Sequence, residues 1–150
     1  MNKIIVHYSE LKGKRLAAID FGLKRVGIAV CDEYHITVST RKYLDFTSPG
    51  FWKQLLGIIL NENIYAVILG IPIRPDRAET NIIKKIKEFS IELEDVSGKK
   101  VILRDESFTS KKATETMIEI GMKKKKRQDK GTRDSISAAI ILRDFLNEIA

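Results

Sequence analysis

Apolar and polar positions change their spacing twice along this chain. Up to about Lys42 the apolar residues come in short blocks. Leu16-Ala17-Ala18-Ile19 runs straight into Asp20. Val26-Gly27-Ile28-Ala29-Val30 follows after the turn Phe21-Gly22-Leu23-Lys24-Arg25. Two short apolar blocks joined by a glycine-containing turn predict a hairpin of strands at about 14–20 and 26–30. His35 to Lys42 is rich in β-branched residues and predicts a third strand, with Ile36 and Val38 on one face and Glu33-Tyr34 in the preceding turn. Met1 to Lys14 is weakly patterned and reads as an extension or an added edge strand.

After Pro49-Gly50 the spacing becomes helical. Leu55, Leu56, Ile59 and Leu60 predict a helix over 51–61. Tyr65 to Leu69 is nearly all apolar, as in a strand covered on both faces. Ile82, Ile83, Ile86, Phe89, Ile91 and Leu93 predict a helix over about 78–94, and Lys99 to Leu103 a fifth strand closed by Arg104-Asp105-Glu106. Two more helices are expected, at about 110–120 before Gly121 and at about 133–148. Strands in hairpin order followed by alternating helices and strands predict one α/β domain over 1–150, with a mixed sheet of about five strands flanked by helices. Residues 1–13 stand outside that pattern as a short N-terminal extension.

Charge adds a partner class. The chain has 150 residues, 27 Lys and Arg against 20 Asp and Glu, and a formal net charge of +7. That excess favours a phosphate-rich partner. It is concentrated late in the chain: from Lys111 to Arg133 there are nine basic and three acidic residues. The run Lys123-Lys124-Lys125-Lys126-Arg127 must be solvated, because unpaired buried ammonium groups are too costly. It serves either to neutralise phosphates or simply as a soluble loop. The one cysteine, Cys31, allows no internal disulfide, and no apolar run approaches the roughly 20 residues that cross a bilayer, so a reducing cytoplasmic setting away from membranes is expected.

Three acids change the picture most. Asp20 ends the first strand and Glu106 follows the fifth. If those strands are parallel, both acids finish on one edge of the sheet. Asp105 alternates to the other side and is expected at the surface. Asp134 precedes Ala138, Ile141, Leu142 and Phe145 by four, seven, eight and eleven residues, so it heads the buried stripe of the last helix. Each acid has a plainer alternative: a turn aspartate for Asp20, a helix-flanking acid for Glu106, a first-turn dipole partner for Asp134. Gathered together, they would repel unless a cation joined them. Oxygen ligands select Mg²⁺ or Mn²⁺. Zinc is disfavoured, since Cys31 is the only thiol and His7 and His35 lack ligand spacing. Lys24 and Arg25, in the turn after Asp20, are candidate phosphate contacts. Thr109 and Ser110 either cap a helix or contact phosphate. Gly22, Gly27 and Gly70 match no dinucleotide or Walker spacing. Phe51, Trp52 and Tyr43 read as core or rim residues rather than as a stacking platform.

Four segments together resemble the YqgF, or RuvX-like, family of RNase H-fold nucleases. They are Ala18 to Val30, Leu69-Gly70-Ile71-Pro72, Asp105 to Ser110, and Asp134 to Leu142, in that order and spacing over roughly 14–149. The resemblance implies an RNase H-like fold and maturation of the ends of the precursor small-subunit ribosomal RNA. Asp20, Glu106 and Asp134 match the family's acidic positions, Lys24 and Arg25 its basic turn, and Thr109 and Ser110 its small hydroxyl residues. A nuclease of this kind is expected to use Mg²⁺ or Mn²⁺, to meet precursor ribosomal RNA in or near a ribosomal particle, and to be a monomer or weak homodimer. The alternatives are a Holliday junction-type DNA endonuclease and a non-catalytic RNA-binding protein in ribosome assembly. Two departures stand out. Ser107 replaces the usual arginine after the acidic pair. Arg74 replaces the usual asparagine beyond the Leu-Gly-Ile-Pro segment, which makes it a further candidate for phosphate contact.

Overall fold

The computed structural model describes residues 7–72, 80–106, 114–116, 118–119 and 135–150. Five strands and three long helices follow one another as β1 (Leu16–Phe21), β2 (Arg25–Cys31), β3 (Val38–Asp45), α1 (Phe51–Asn61), β4 (Ala66–Ile71), α2 (Asn81–Ser97), β5 (Lys100–Asp105) and α3 (Ile136–Ile149). They form one five-stranded sheet in the order β3-β2-β1-β4-β5. β1–β2 and β2–β3 are antiparallel, while β1–β4 and β4–β5 are parallel. The expected hairpin and mixed sheet are both present.

Each strand places alternate residues on opposite faces. Ala17, Ile19 and Phe21 of β1 join α1 and α2 residues in one cluster with Leu55, Phe89 and Leu93. Leu16 and Ala18 join α3 on the other face, with Ala138, Leu142 and Phe145. Every residue of β4 is buried, as an all-apolar strand covered on both sides requires. Leu11, in the 3-10 turn Tyr8–Leu11, is fully buried against the α3 side, and the Tyr8 ring meets Phe145 edge-on at 5.4 Å.

Three elements differ from the sequence expectation for local reasons. The third strand starts at Val38, not His35. The Asp32 carboxylate accepts the backbone N–H groups of Ile36 and Thr37, and His35 has a left-handed φ of 58°, so 32–37 is a turn held by an aspartate. Ile36 is therefore exposed and does not share a buried face with Val38. α2 runs on to Ser97, where Gly98 caps it in the left-handed region at φ 69°. Its buried line is Ile86, Phe89 and Leu93, while Ile91 faces out. β5 extends through Asp105 by pairing with Ile71.

Candidate active site

Because β1, β4 and β5 are mutually parallel, their C-terminal ends share one edge of the sheet. Asp20 is the penultimate residue of β1 and Glu106 follows β5 directly. Asp20 alternates with Ile19 and Phe21, so it lies on the α3 face. There it lines a cavity of about 330 Å³ with Glu106, Thr114, Ser137, Ile140 and Ile141. The two acids come from strands that do not touch, because β4 runs between them. Gly70 of β4 leaves the necessary gap. A Cβ built there would stand 2.8 Å from Oε2 of Glu106 and 2.6 Å from Cδ1 of Ile141.

The electrostatics follow from burial and crowding. Desolvation pushes the Asp20 carboxyl above its ordinary range, and a hydrogen bond from the Ser137 hydroxyl partly offsets this. Glu106 is pushed up by burial first, then by the negative charges of Asp20 and Asp105. Burial disfavours the charged form of both acids, the Asp20 charge adds to this at Glu106, and an arriving positive charge would offset it.

The surrounding elements hold this arrangement. Arg104, two residues before Glu106, donates to Asp144 of α3 at 2.8 Å and also pairs with Glu148. Its guanidinium lies over the Phe145 ring at 5.6 Å. The end of β5 is thereby clamped to α3. At the other end of that helix the Ser135 hydroxyl donates to the Arg41 carbonyl of β3 at 2.7 Å. Ser135 rests against Gly27 of β2, where even a Cβ would meet it at 3.4 Å, an ordinary packing distance. Ser137, in the first turn of α3, is consequently placed over Asp20.

Lys24 sits in the β1–β2 turn and Arg25 opens β2 at the same edge. A Cβ at Gly22 would be 2.6 Å from the Arg25 carbonyl oxygen, so this turn closes only with glycine. The Lys24 carbonyl accepts the Phe46 N–H, which ties the turn to the end of β3. Arg25 is exposed and lies over the Tyr43 ring. Asp105, expected at the surface, is half-buried and contributes to the site through its charge. His35 bonds the Lys14 carbonyl in a turn at the opposite edge. Among the described residues no three His, Cys, Asp or Glu side chains gather. Asp134, Arg74, Thr109, Ser110, Lys123, Lys124, Lys125, Lys126 and Arg127 lie outside the described residues.

Ser137, Thr114 and the spacing role of Gly70 escaped the sequence reading. Ser137 carried a usable signal: it stands three residues after Asp134, on the same side of the helix that the sequence predicts over about 133–148. Gly70 carried none, since its use depends on which strands flank β4.

The family model for the RuvX Holliday junction resolvases matches residues 14–148. The chain belongs to this family. A RuvX relative from Christiangramia forsetii, named "Putative pre-16S rRNA nuclease", is 39% identical over 89% of this chain and 98% of its own length. One of the same name from Flavobacterium johnsoniae is 38% identical over 89% of this chain and 96% of its own. Among solved structures, the fowlpox virus resolvase in complex with substrate Holliday junction DNA superimposes with a TM-score of 0.55 at 16% identity, covering 89% of this chain and 97% of that one. At that identity the likeness establishes the architecture alone, an RNase H-like fold. RuvX membership makes this chain a nuclease, a hydrolase of phosphodiester bonds. Among the described residues no helix is long and apolar enough to cross a membrane.

Proposed function

We propose that this RuvX protein is a metal-dependent nuclease that matures the 5′ end of precursor small-subunit ribosomal RNA, working in the cytoplasm as a single domain. The observation that carries the reading is the pairing of Asp20 and Glu106 in one half-buried cavity at the sheet edge. The names of the relatives from Christiangramia forsetii and Flavobacterium johnsoniae supply the substrate.

The donor set fits a hard divalent cation, Mg²⁺ or Mn²⁺. Both acids offer only oxygen, both are raised by burial, Glu106 is raised further by neighbouring negative charge, and Gly70 leaves the Glu106 carboxylate its space. Asp134 is assigned as the third ligand; it immediately precedes Ser135, which rests against Gly27 beside Asp20. When bound, the metal supplies Lewis-acid activation of water and neutralises charge building on the phosphate. The protein side chains do the placing. Asp20 and Glu106 hold the cation from two strands, and Ser137 keeps the Asp20 carboxylate turned into the cavity. Lys24 and Arg25 take the phosphates that flank the scissile bond. Arg74, Thr109, Ser110 and Lys123 through Arg127 are assigned to the remaining backbone of the strand.

The test is cleavage of a precursor RNA spanning the mature 5′ end, with a four-way DNA junction assayed beside it. Mg²⁺ or Mn²⁺ should be required, and Asp20→Asn or Glu106→Gln should lower the rate by at least 100-fold. Undiminished RNA cleavage in excess chelator would remove the mechanism. Cutting of the junction but not the RNA would move the substrate to DNA, the activity that the family description names.

A further inference from the structure

Arg25, already assigned to phosphate, is paired with Tyr43, a ring to which the phosphodiester chemistry gives no role. The Arg25 guanidinium carbon lies 5.3 Å from the centre of the Tyr43 ring. On β2, Val26, Ile28 and Val30 face α1 and α2, so Arg25 and Gly27 face the α3 side. On β3, Leu44 packs with the α1–α2 cluster, which places the neighbouring Tyr43 on the α3 side as well. That is the face carrying Asp20. The strand registers fix the distance. Asp20 pairs with Gly27, and the irregularity between Val26 and Ile28 sets Lys42 and Tyr43 opposite Gly27. Tyr43 therefore stands two strand spacings from Asp20, about 10 Å.

Among the described residues, Tyr43 packs on the other side of the sheet from the remaining rings of this edge. Phe21, Phe46, Phe51, Trp52 and Phe89 all pack into the α1–α2 cluster, whereas Tyr43 belongs to neither hydrophobic cluster. It is a half-buried ring on a sheet face, overlain by an exposed cation, beside a phosphodiester-cleaving cavity. A tyrosine ring and a guanidinium plane each offer a flat surface to an unstacked base. Duplex bases are already stacked, so only a single strand gains from such a surface.

We propose that Tyr43, with Arg25 laid on its ring, is a stacking platform for one base of a single-stranded nucleic acid whose backbone enters the Asp20–Glu106 cavity. Arg25 then has two functions, carrying charge toward phosphate and extending the stack. The platform rests on the nuclease reading for its substrate, and it adds a preference for unpaired strand beside the cut.

The probe is a short fluorescent oligoribonucleotide without secondary structure, titrated by anisotropy in chelator so that it is not cut. Tyr43→Ala and Tyr43→Leu should each weaken binding by about 5- to 100-fold, in line with loss of one stacked base. Their salt dependence should keep the parent slope. Tyr43→Phe should bind within about twofold of the parent, because the ring and not the hydroxyl carries the contact. Arg25→Gln should weaken binding and also lower the salt slope by about one. Moving an abasic position along the oligonucleotide should reproduce the Tyr43→Ala loss at one position only. Melting curves read from Trp52 fluorescence separate a binding loss from unfolding, and Tyr43→Leu preserves apolar bulk if the alanine variant is unstable. Parent-like binding by Tyr43→Leu, or equal losses in Tyr43→Phe and Tyr43→Leu, overturns the platform. Cleavage of the precursor RNA by the same preparations separates the two readings. Parent-like binding by Tyr43→Leu with normal parental cleavage removes the platform alone. Tyr43-dependent binding without metal-dependent cleavage by the parent supports the stack and removes the nuclease reading.

Discussion

Gly70 and Glu106 compete for one volume: a Cβ on Gly70 would lie 2.8 Å from the Glu106 Oε2 atom. The glycine is thus part of the site without offering it any chemistry. Gly70→Ala should shift Glu106 and press on Ile141, whose Cδ1 would be 2.6 Å away. Both neighbours are ends of flexible side chains, so the stability loss should stay near the low end for overpacking, about 1 kcal/mol. Cation affinity and cleavage should fall much further, by about 10- to 100-fold. Ile141→Val added to Gly70→Ala should recover melting temperature but not cleavage. Joint recovery of both would show that Glu106 had never been displaced.

The bond from Ser137 to Asp20 gives a second expectation. Ser137→Ala leaves Asp20 without the hydroxyl that favours its charged form. Affinity for Mn²⁺, measured by calorimetry, should drop about 10-fold, the usual scale for losing a group that orients a ligand. Ser137→Thr keeps the hydroxyl and should restore it. Equal affinity in the alanine variant and the parent would assign Ser137 to packing.

Without metal, stability should depend on pH in a definite sense. Asp20 and Glu106 have folded-state values raised above the ordinary 3.8 and 4.5. The native state therefore binds more protons than the unfolded chain through this window. Stability is highest below the ordinary values and is lost as pH rises through the raised ones. Glu62 works in the opposite direction, since its pairing with Arg41 lowers it, and its contribution disappears as pH falls through that lowered value. Thermal melts of the metal-free protein should show one limb that gains stability as pH falls through the raised values of Asp20 and Glu106, and an opposite limb as pH falls further through the lowered value of Glu62. Asp20→Asn should flatten the first limb. An unchanged first limb in that variant would place the titration elsewhere.

Arg104 offers a test of the clamp between β5 and α3. Asp144 is buried and Arg104 donates to it at 2.8 Å. Arg104→Met removes the cation paired with the buried Asp144 carboxylate and should cost about 3 kcal/mol in denaturant unfolding at neutral pH. Adding Asp144→Leu removes that carboxylate and should return most of the loss. Purely additive losses in the double variant would mean that the pair is not coupled.

Much of the fold was legible because the apolar spacing is decisive in particular segments. The hairpin of β1 and β2, the fully covered β4 and the helix over 51–61 all follow from it. The third strand was misplaced because Asp32 competes with the ladder for the N–H groups of Ile36 and Thr37, a contest between turn and strand that hydropathy does not register. In the site, Asp20 and Glu106 could be brought to one edge from strand direction alone. The Ser137 hydrogen bond, the half-burial of Asp105 and the gap at Gly70 depend on strand order and on where α3 docks, which spacing along the chain does not encode. Tyr43 read as a rim residue because its partner, Arg25, becomes its neighbour only through pairing of β2 with β3.

The strand order has a consequence for the life of the chain as it is made. Asp20 emerges early, yet its counterpart Glu106 directly follows β5 and Ser137 belongs to α3, which comes after every strand among the described residues. Between the two acids lies β4, and the parallel pairings that flank it close only across long connections, which form slowly. Translation delivers these parts from the N-terminal side. An early hairpin of β1 and β2 would hold one carboxylate with no partner and no cavity. The cavity that joins Asp20 to Glu106 and Ser137 is therefore complete only after β5 has entered the sheet and α3 has docked, so the site is among the last parts of the fold to form.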